Sequence, residues 1–488
     1  MNKMIKYNLQ KMNFFYFQSS ISVVRYANLG KVFVMKKHLW LWLSVCIAPA
    51  FGISESNAAE DPFSVIEKDK TYSDCLNQEI DKTSLSLRNL AELAICRNAT
   101  LARSYITSKQ QAAAYGQSMT SYLPNINLGA GASYSENKAG YGSDWEDSSP
   151  VSANVSLDWL LYDFGGRQAN KDYAYQNFLA AGFSHNQQMQ DTLFNVANAY
   201  YTLLSAKAAL QESKANEDMY LKSYELAAKK YELGLVSLSD KLQAETSYAQ
   251  SRLATLEDEN SINIAKGNLA EILNLPAYTD FALAKVNLNA KDAFFNAEVK
   301  DLIDKALQER NDLKVKQAEI KAAEASLKQA EAADYPSVSL NGSFAGSDDL
   351  SSGHGQNYNG RIGVQLTVPL FTGFSNTYSK LTKKYALESA KESLAETTVN
   401  IRKDVWNKYH DYTTAVKNYE ITGTLLKSSQ ENYKVALGAY KAGKNDIVTL
   451  LDAASKLALA RKERSSALYK LFLSKTDLLR AIGKLEIQ

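Results

Sequence analysis

Few residues of this 488-residue chain are spaced for covalent, metal or phosphate chemistry. Its four histidines lack the spacing of metal ligands, and no phosphate-binding loop or nucleophile elbow occurs. Lys and Arg number 55 against 53 Asp and Glu, a balance without the basic footprint of nucleic-acid binding. Cys75 and Cys96 form an even pair, which in an exported protein is typical of a disulfide; two free buried thiols are the alternative. We therefore expect no enzyme, no cofactor and no nucleic-acid partner.

The N-terminal region has the features of an export signal. A basic start at 35–38 precedes a mostly apolar run at 39–53, and residues 56–58 fit the small-x-small cleavage rule. The apolar run is too short to span a bilayer stably. We expect a signal peptide over 35–59, and we interpret residues 1–34 as an extension that is not native to the protein.

Four segments alternate strictly between apolar residues and small polar residues. A period of two with one apolar face predicts β-strands, and about ten residues is the length that a tilted strand needs to cross a bilayer. The polar loops expected within the two hairpins lie at 135–150 and 347–358. A soluble sheet is the alternative. Open edges in lipid leave backbone groups unsatisfied, so four membrane strands would require several copies of the chain. The four segments lie at about 126–134, 151–159, 338–344 and 362–370.

Most of the remaining chain has a helical pattern. Two proline-free stretches run from about 167 to 233 and from about 376 to 442, and each would be about 100 Å long. Helices of that length need partners along their whole length. The predicted partners are return helices at 235–273 and 445–483 and helices at 84–121 and 301–333.

The turn after each long stretch is repeated in the sequence. Tyr231-Glu-Leu-Gly234 is matched by Tyr440-Lys-Ala-Gly443, and the glycines are 209 positions apart (443 minus 234). A gap this long indicates duplication of a half-protein rather than a solenoid. We expect a first repeat of helix, two strands, long helix and return helix, then an equatorial linker, then the second repeat. The predicted boundaries are 60–273, 274–300 and 301–488.

This order of elements resembles the TolC family of outer-membrane efflux channels over about 72–485. The strand-to-helix passages that carry the resemblance are Leu160-Leu-Tyr162-Asp-Phe-Gly165-Gly166-Arg167 and Pro369-Leu-Phe371-Thr-Gly373. The resemblance implies an α+β membrane protein with four strands per protomer. Twelve strands of a homotrimer would form one outer-membrane β-barrel, continued by a long periplasmic α-helical barrel.

The implied function is a passive duct for efflux of small molecules, for type I protein secretion, or for both. Its implied partners are two further copies, outer-membrane lipid, a periplasmic adaptor (membrane fusion) protein and an inner-membrane pump or ABC exporter. An outer-membrane structural or adhesive protein with a coiled-coil stalk is the alternative. Strands that interrupt the helices twice fit that class poorly.

The resemblance also implies a periplasmic gate at the two repeated turns. Gly234 and Gly443 are the helix-turn tips, where a positive φ is often required. Carried over by motif, the linking positions are Asp240 in the first repeat and Tyr440 and Asn445 in the second.

Ring positions around the pore fall on Thr449 and Asp452. Asn445 stands where the best-known family member has an arginine, and Thr449 stands where it has an aspartate. The resemblance therefore implies a weaker latch and three charges around the pore rather than six. Plainer roles stay open: Asp240 as a helix-start carboxylate, Tyr440 as a packing aromatic and Asp452 as a solvated charge.

Overall fold

The computed structural model describes residues 84–138, 145–284, 288–294, 297–349 and 356–485. The predicted signal peptide at 35–59, the extension at 1–34 and Cys75 lie outside these ranges. Those expectations stay predictions.

The described elements occur twice in the same order, except for a small hairpin in the first half and a short helix between the halves. The first half contains α1 (Leu87–Arg97), α2 (Ala99–Thr120), β1 (Asn125–Ala132), β2 (Ser135–Lys138), β3 (Trp145–Ser148), β4 (Pro150–Tyr162), α3 (Gly166–Glu232) and α4 (Leu238–Ile272). After a short α5 (Ala290–Ala293), the second half contains α6 (Val299–Glu309), α7 (Asn311–Ala332), β5 (Ser337–Asp349), β6 (Asn357–Thr367), α8 (Ser375–Lys441) and α9 (Ile447–Ile482). The α+β class and the internal duplication are confirmed.

The two long helices, α3 and α8, have 67 residues each and contain no proline. At 1.5 Å per residue each extends about 100 Å. Helix α3 packs against α2, α4, α7 and α9, and α8 packs against α7 and α9. These neighbours cover part of each long helix, while apolar side chains such as Val399 and Ile421 of α8 remain 59% and 64% exposed. Within the described ranges, no helix is both long enough and apolar enough to cross a membrane.

The single helix predicted over 84–121 is two helices, because the chain leaves the helical conformation at Asn98. This residue is extended, with φ −64° and ψ 118°. Its side chain accepts a hydrogen bond from the Leu101 N–H at 3.0 Å and donates one to the Ile272 carbonyl at 3.0 Å. Asn98 therefore caps α2 and ties it to the end of α4.

The single helix predicted over 301–333 is also two helices, and the break lies at Arg310. This residue is extended as well, with φ −63° and ψ 131°. Its guanidinium donates to the Asp404 carboxylate at 2.7 Å and to the Ala481 carbonyl at 3.1 Å. Both breaks bring a polar side chain to a distant element, which the periodicity of one segment does not reveal.

The four membrane-length strands form one antiparallel sheet in the order β1-β4-β5-β6. The predicted loop at 135–150 instead contains a small antiparallel hairpin, β2–β3, and β5 runs on to Asp349, inside the loop predicted at 347–358. Asp349 accepts hydrogen bonds from the Ser148 hydroxyl at 2.7 Å and the Ser149 N–H at 3.0 Å. These contacts extend the ordered hairpins past the segments that alternate.

Strands β1 and β6 are the edges of this sheet, and their apolar residues are exposed in one protomer. Ile126 and Leu128 of β1 are 69% and 64% exposed. Ile362, Val364 and Leu366 of β6 are 76%, 67% and 63% exposed. Within the described residues, no other strand pairs with either edge, and these apolar rows stay exposed.

Three buried clusters hold the described helices together, the smallest of which is formed by Met219, Ala454 and Leu457. The largest cluster lies where α1, α6 and the ends of α4 and α9 surround the middle of α3 and α8. A smaller group, the tip cluster, lies near the helical turns, and its members come from α3, α4, α8 and α9: Ala227, Ala244, Ala436, Tyr440, Ile447, Leu450, Leu451 and Ala453.

Candidate functional site

The first long helix ends in a Schellman turn. Gly234 has φ 69°, a left-handed conformation that glycine adopts without a side-chain penalty. Its N–H donates to the Tyr231 carbonyl at 2.9 Å, and the Leu235 N–H donates to the Lys230 carbonyl at 2.8 Å. These bonds satisfy two of the last carbonyls of α3.

The second long helix ends with the same bonds, 209 positions later. Gly443 has φ 71°, and its N–H donates to the Tyr440 carbonyl at 3.1 Å. The Lys444 N–H donates to the Ala439 carbonyl at 2.9 Å. A Cβ built on either glycine would meet no atom within 4 Å, so backbone conformation rather than space calls for glycine here.

Both return helices begin with one carboxylate and one hydroxyl, in opposite order. Ser237 caps α4 and Asp240 completes a capping box, with the Ser237 hydroxyl accepting from the Asp240 N–H and the Asp240 carboxylate accepting from the Ser237 N–H, both at 3.2 Å. In α9 the cap is Asp446, which accepts from the Thr449 N–H at 2.9 Å. Hydrogen bonds from the Thr449 hydroxyl and N–H lower the pKa of Asp446. Asp240 and Thr449 thus occupy equivalent capping positions.

Asp240 of the first hairpin lies near enough to Tyr440 of the second for its charge to act on the phenol. Tyr440 is 1% exposed, whereas Tyr231, its counterpart in the first repeat, is 37% exposed. Burial raises the pKa of the Tyr440 phenol, and the negative charge of Asp240 raises it further. Among the described residues the phenol oxygen has no hydrogen-bond partner. The two predicted linking residues therefore interact through charge, and no hydrogen bond joins them within the described residues.

Asn445 lies exposed in the second turn, two residues after Gly443. Within the described part of the protomer, no hydrogen bond joins it to Asp240. Its predicted linking role would need a neighbouring copy.

Thr449, Asp452 and Lys456 share one exposed face of α9, at spacings of three and four residues. The Lys456 ammonium lies 2.7 Å from the Asp452 carboxylate. The predicted ring aspartate therefore carries its own counter-charge one helical turn away. The spacing of this pair was visible in the sequence, but the motif comparison did not use it.

Cys96, on α1, is disulfide-bonded. Its predicted partner, Cys75, lies outside the described residues, so the identity of the pair stays a prediction.

The model of the outer membrane efflux protein family matches residues 90–275 and 302–484, which together are most of the chain. The chain belongs to the outer membrane efflux protein family. Each of the two matches spans one long helix, its turn and its return helix. This outer membrane efflux protein is an efflux channel of the TolC type, located in the outer membrane with its helices in the periplasm.

Individual relatives agree with this assignment. Protein CyaE of Bordetella pertussis is 27% identical over 82% of this chain and 84% of its own length. Outer membrane protein TolC of Vibrio cholerae is 27% identical over 76% of this chain and 84% of its own length. The crystal structure of the Campylobacter jejuni CmeC outer membrane channel shares the fold, with a TM-score of 0.72 at 18% identity over 82% of this chain and 85% of that one.

One residue beside the predicted gate positions was not predicted from the sequence. Lys230 of α3 contacts Tyr440 of α8, and in the second repeat the position of Lys230 is taken by Ala439. Comparison of the repeats therefore gave no signal for it.

Proposed function

We propose that this efflux channel works as a homotrimer whose twelve strands close one barrel. The observation that carries the proposal is the pair of free sheet edges on β1 and β6, with the exposed apolar rows beside them. Unpaired edges are not tolerated in the hydrocarbon region, and closure removes them. Twelve strands leave room for a pore, whereas eight would have a filled interior.

The helices of the three protomers would continue this barrel as a tunnel across the periplasm. The tunnel does no chemistry of its own. A periplasmic adaptor would join it to an inner-membrane pump or ABC exporter, which supplies the energy and passes on small molecules, secreted proteins or both.

The two turns would form the closed end of the tunnel. The negative charge of Asp240 near the Tyr440 phenol would act as a link within one protomer, while the exposed Asn445 would reach a neighbouring copy. Thr449 and Asp452 would line the narrowest part, where Lys456 offsets the charge of Asp452. Opening would move the second hairpin outward and separate Asp240 from Tyr440.

A conductance measurement tests the channel. We expect the full-length protein purified from outer membranes to run as a detergent-stable trimer and to conduct ions in planar bilayers. A monomer without conductance would refute the proposal. A deletion strain, assayed both for sensitivity to toxic compounds and for secreted proteins, identifies the cargo class.

The gate is tested separately with Asp240→Ala. We expect this variant to spend more time open than the wild type. Asp218→Ala is the matched control. Asp218 lies exposed on α3, farther from the turn, and among the described residues its ion pair is with Lys222, one helical turn away. Equal open times in both variants would leave Asp240 with the plainer role of a capping residue.

A further inference from the structure

We propose that Lys230 is a gate-positioning residue, a cation of the first hairpin that holds the end of the second. The inference rests on the proposed channel function and adds a residue to its gate. Lys230 lies in the last turn of α3, four residues before Gly234.

One ammonium group makes two contacts with the same residue. The Lys230 Nζ lies 4.2 Å from the centroid of the Tyr440 ring and donates a hydrogen bond to the Tyr440 carbonyl. A cation over an aromatic face is attracted by the ring quadrupole. The Tyr440 carbonyl belongs to the last turn of α8, where the helix dipole favours a positive charge. Lys230 therefore stabilises the position of both the side chain and the helix end.

Tyr440 is held by both helices of the first hairpin. The Lys230 ammonium of α3 lies over its ring face, and the negative charge of Asp240 of α4 acts on its phenol. The tip cluster adds two small residues of the first hairpin, Ala227 and Ala244, both fully buried. The buried tyrosine thus packs against residues of the first hairpin as well as against its own hairpin.

The Lys230–Tyr440 contact lies near the turns, where the two hairpins would separate when the gate opens. Farther from the turns, Arg461 of α9 donates to the Asn216 side chain of α3 at 3.0 Å, and Arg480 lies 3.4 Å from Asp191. These bonds tie the same two hairpins together at higher levels. If the hairpins remain joined there, separation of their tips breaks the Lys230–Tyr440 contact and leaves the upper ties intact.

The repeat does not reproduce this contact in the other direction. Lys241 lies 5.6 Å from the ring of Tyr231, but both residues belong to the first hairpin. Among the residues that the structure describes, Tyr440 of the second turn is contacted by a lysine of the other hairpin, and Tyr231 of the first turn is not. This direction suits a gate in which the second hairpin moves and the first is its support.

Single-channel recording of the full-length trimer tests the inference. We expect Lys230→Met to raise the ratio of open to closed dwell times about fivefold, the scale of one partly desolvated cation–π contact. Lys229→Met is the matched control, since Lys229 lies in the same last turn of α3 and is exposed. It removes the same charge from the same helix end and should leave the ratio unchanged.

Rescue separates positioning from general stability. Lys230→Arg keeps a cation and should restore the closed state, whereas Lys230→Gln should behave like Lys230→Met and replaces it if the Met variant does not assemble. A conducting wild type whose dwell ratio is unaffected by loss of the cation overturns the role of Lys230 alone. A wild-type trimer that carries no current overturns the channel and this inference with it. A ratio that rises in Lys230→Arg as much as in Lys230→Met also contradicts the inference.

Discussion

The turns at Gly234 and Gly443 have φ angles of 69° and 71°, yet the tyrosine three residues before each glycine has a different environment. Tyr231 is 37% exposed, and Tyr440 is 1% exposed. The backbone hydrogen bonds of the two turns are the same. Duplication therefore preserved the local geometry, while the side chains diverged so that one turn binds the other.

The surfaces of the two turns differ as well. The first turn presents exposed leucines at 233 and 235, which are 73% and 68% exposed. The second presents Lys444, Asn445 and Asp446, all exposed. A protomer thus carries one apolar tip and one polar tip. A partner that contacts both tips would meet an apolar surface on the first and a polar surface on the second, although the two turns have the same backbone hydrogen bonds.

Truncation of the two tyrosines should give the largest difference between the tips. Tyr440→Ala leaves a cavity in the tip cluster and should cost about 3–5 kcal/mol of local stability. Tyr231→Ala, at the exposed counterpart, should cost less than about 1 kcal/mol. Native-state hydrogen exchange of the amides in 433–453 and 224–244 measures both. Similar losses at the two sites would show that the burial of Tyr440 does not hold the tip.

Substitution of the two glycines should have equal effects. Gly234→Ala and Gly443→Ala each force a side chain into a left-handed conformation and should cost about 1–2 kcal/mol. Neither new Cβ meets a neighbour, so the cost comes from the backbone alone. Hydrogen exchange at Leu235 and Lys444, whose N–H groups close the two turns, provides the comparison. A much larger loss at one turn would mean that the shared backbone is supported differently in the two copies.

Acid should distinguish the two helix starts. The pKa of Asp446 is lowered in the folded protein by hydrogen bonds from Thr449, so its stabilising effect is present above the unfolded pKa of about 3.9 and is lost as pH falls through the folded value. The cap of α4 is the uncharged Ser237, and the Asp240 carboxylate of its capping box makes a longer hydrogen bond, 3.2 Å against 2.9 Å for Asp446. Below about pH 4 we expect the first turn of α9 to lose exchange protection before the first turn of α4.

Asp446→Asn is the control for this acid effect, because an asparagine cap does not titrate. In that variant the first turn of α9 should no longer lose protection before the first turn of α4. An unchanged response would assign the acid sensitivity to other groups.

The smallest effect is expected at the Asp452–Lys456 pair. Lys456→Met removes the counter-charge and should raise the permeability ratio of K⁺ to Cl⁻ about twofold, the scale of an exposed ion pair. Lys434→Met is the control, because Lys434 forms a comparable exposed pair with Glu431 on α8. Reversal potentials under a KCl gradient measure the ratio. Equal ratios in both variants would place Asp452 away from the ion path.

Much of the fold followed from local patterns. The predicted long helices end within one residue of Gly166–Glu232 and Ser375–Lys441, because proline-free sequence and a glycine stop act within a few residues. The alternating segments form β1, β4, β5 and β6, because alternation of apolar and polar residues is also a pattern of neighbouring residues. The caps at Ser237 and Asp446 and the Asp452–Lys456 pair were equally local and could have been predicted.

The breaks at Asn98 and Arg310 were not predictable from periodicity. Asn98 binds a carbonyl 174 positions away, and Arg310 binds Asp404, 94 positions away. A helical pattern continues through both sites. The extended backbone there is set by partners that only the packed chain brings near.

The sequence by itself determined the duplication, the strand and helix order and the left-handed glycines of both turns, because each depends on spacing or on conformational preference within a few residues. The tertiary structure alone decided that Tyr440 is buried and Tyr231 is not. It also decided that Lys230 contacts Tyr440, which lies 210 positions away in the sequence. The physical reason is that burial and long-range charge contacts depend on which helices pack side by side. Because the local motif is the same in both copies, it does not show which of the two tyrosines will be buried against the other hairpin.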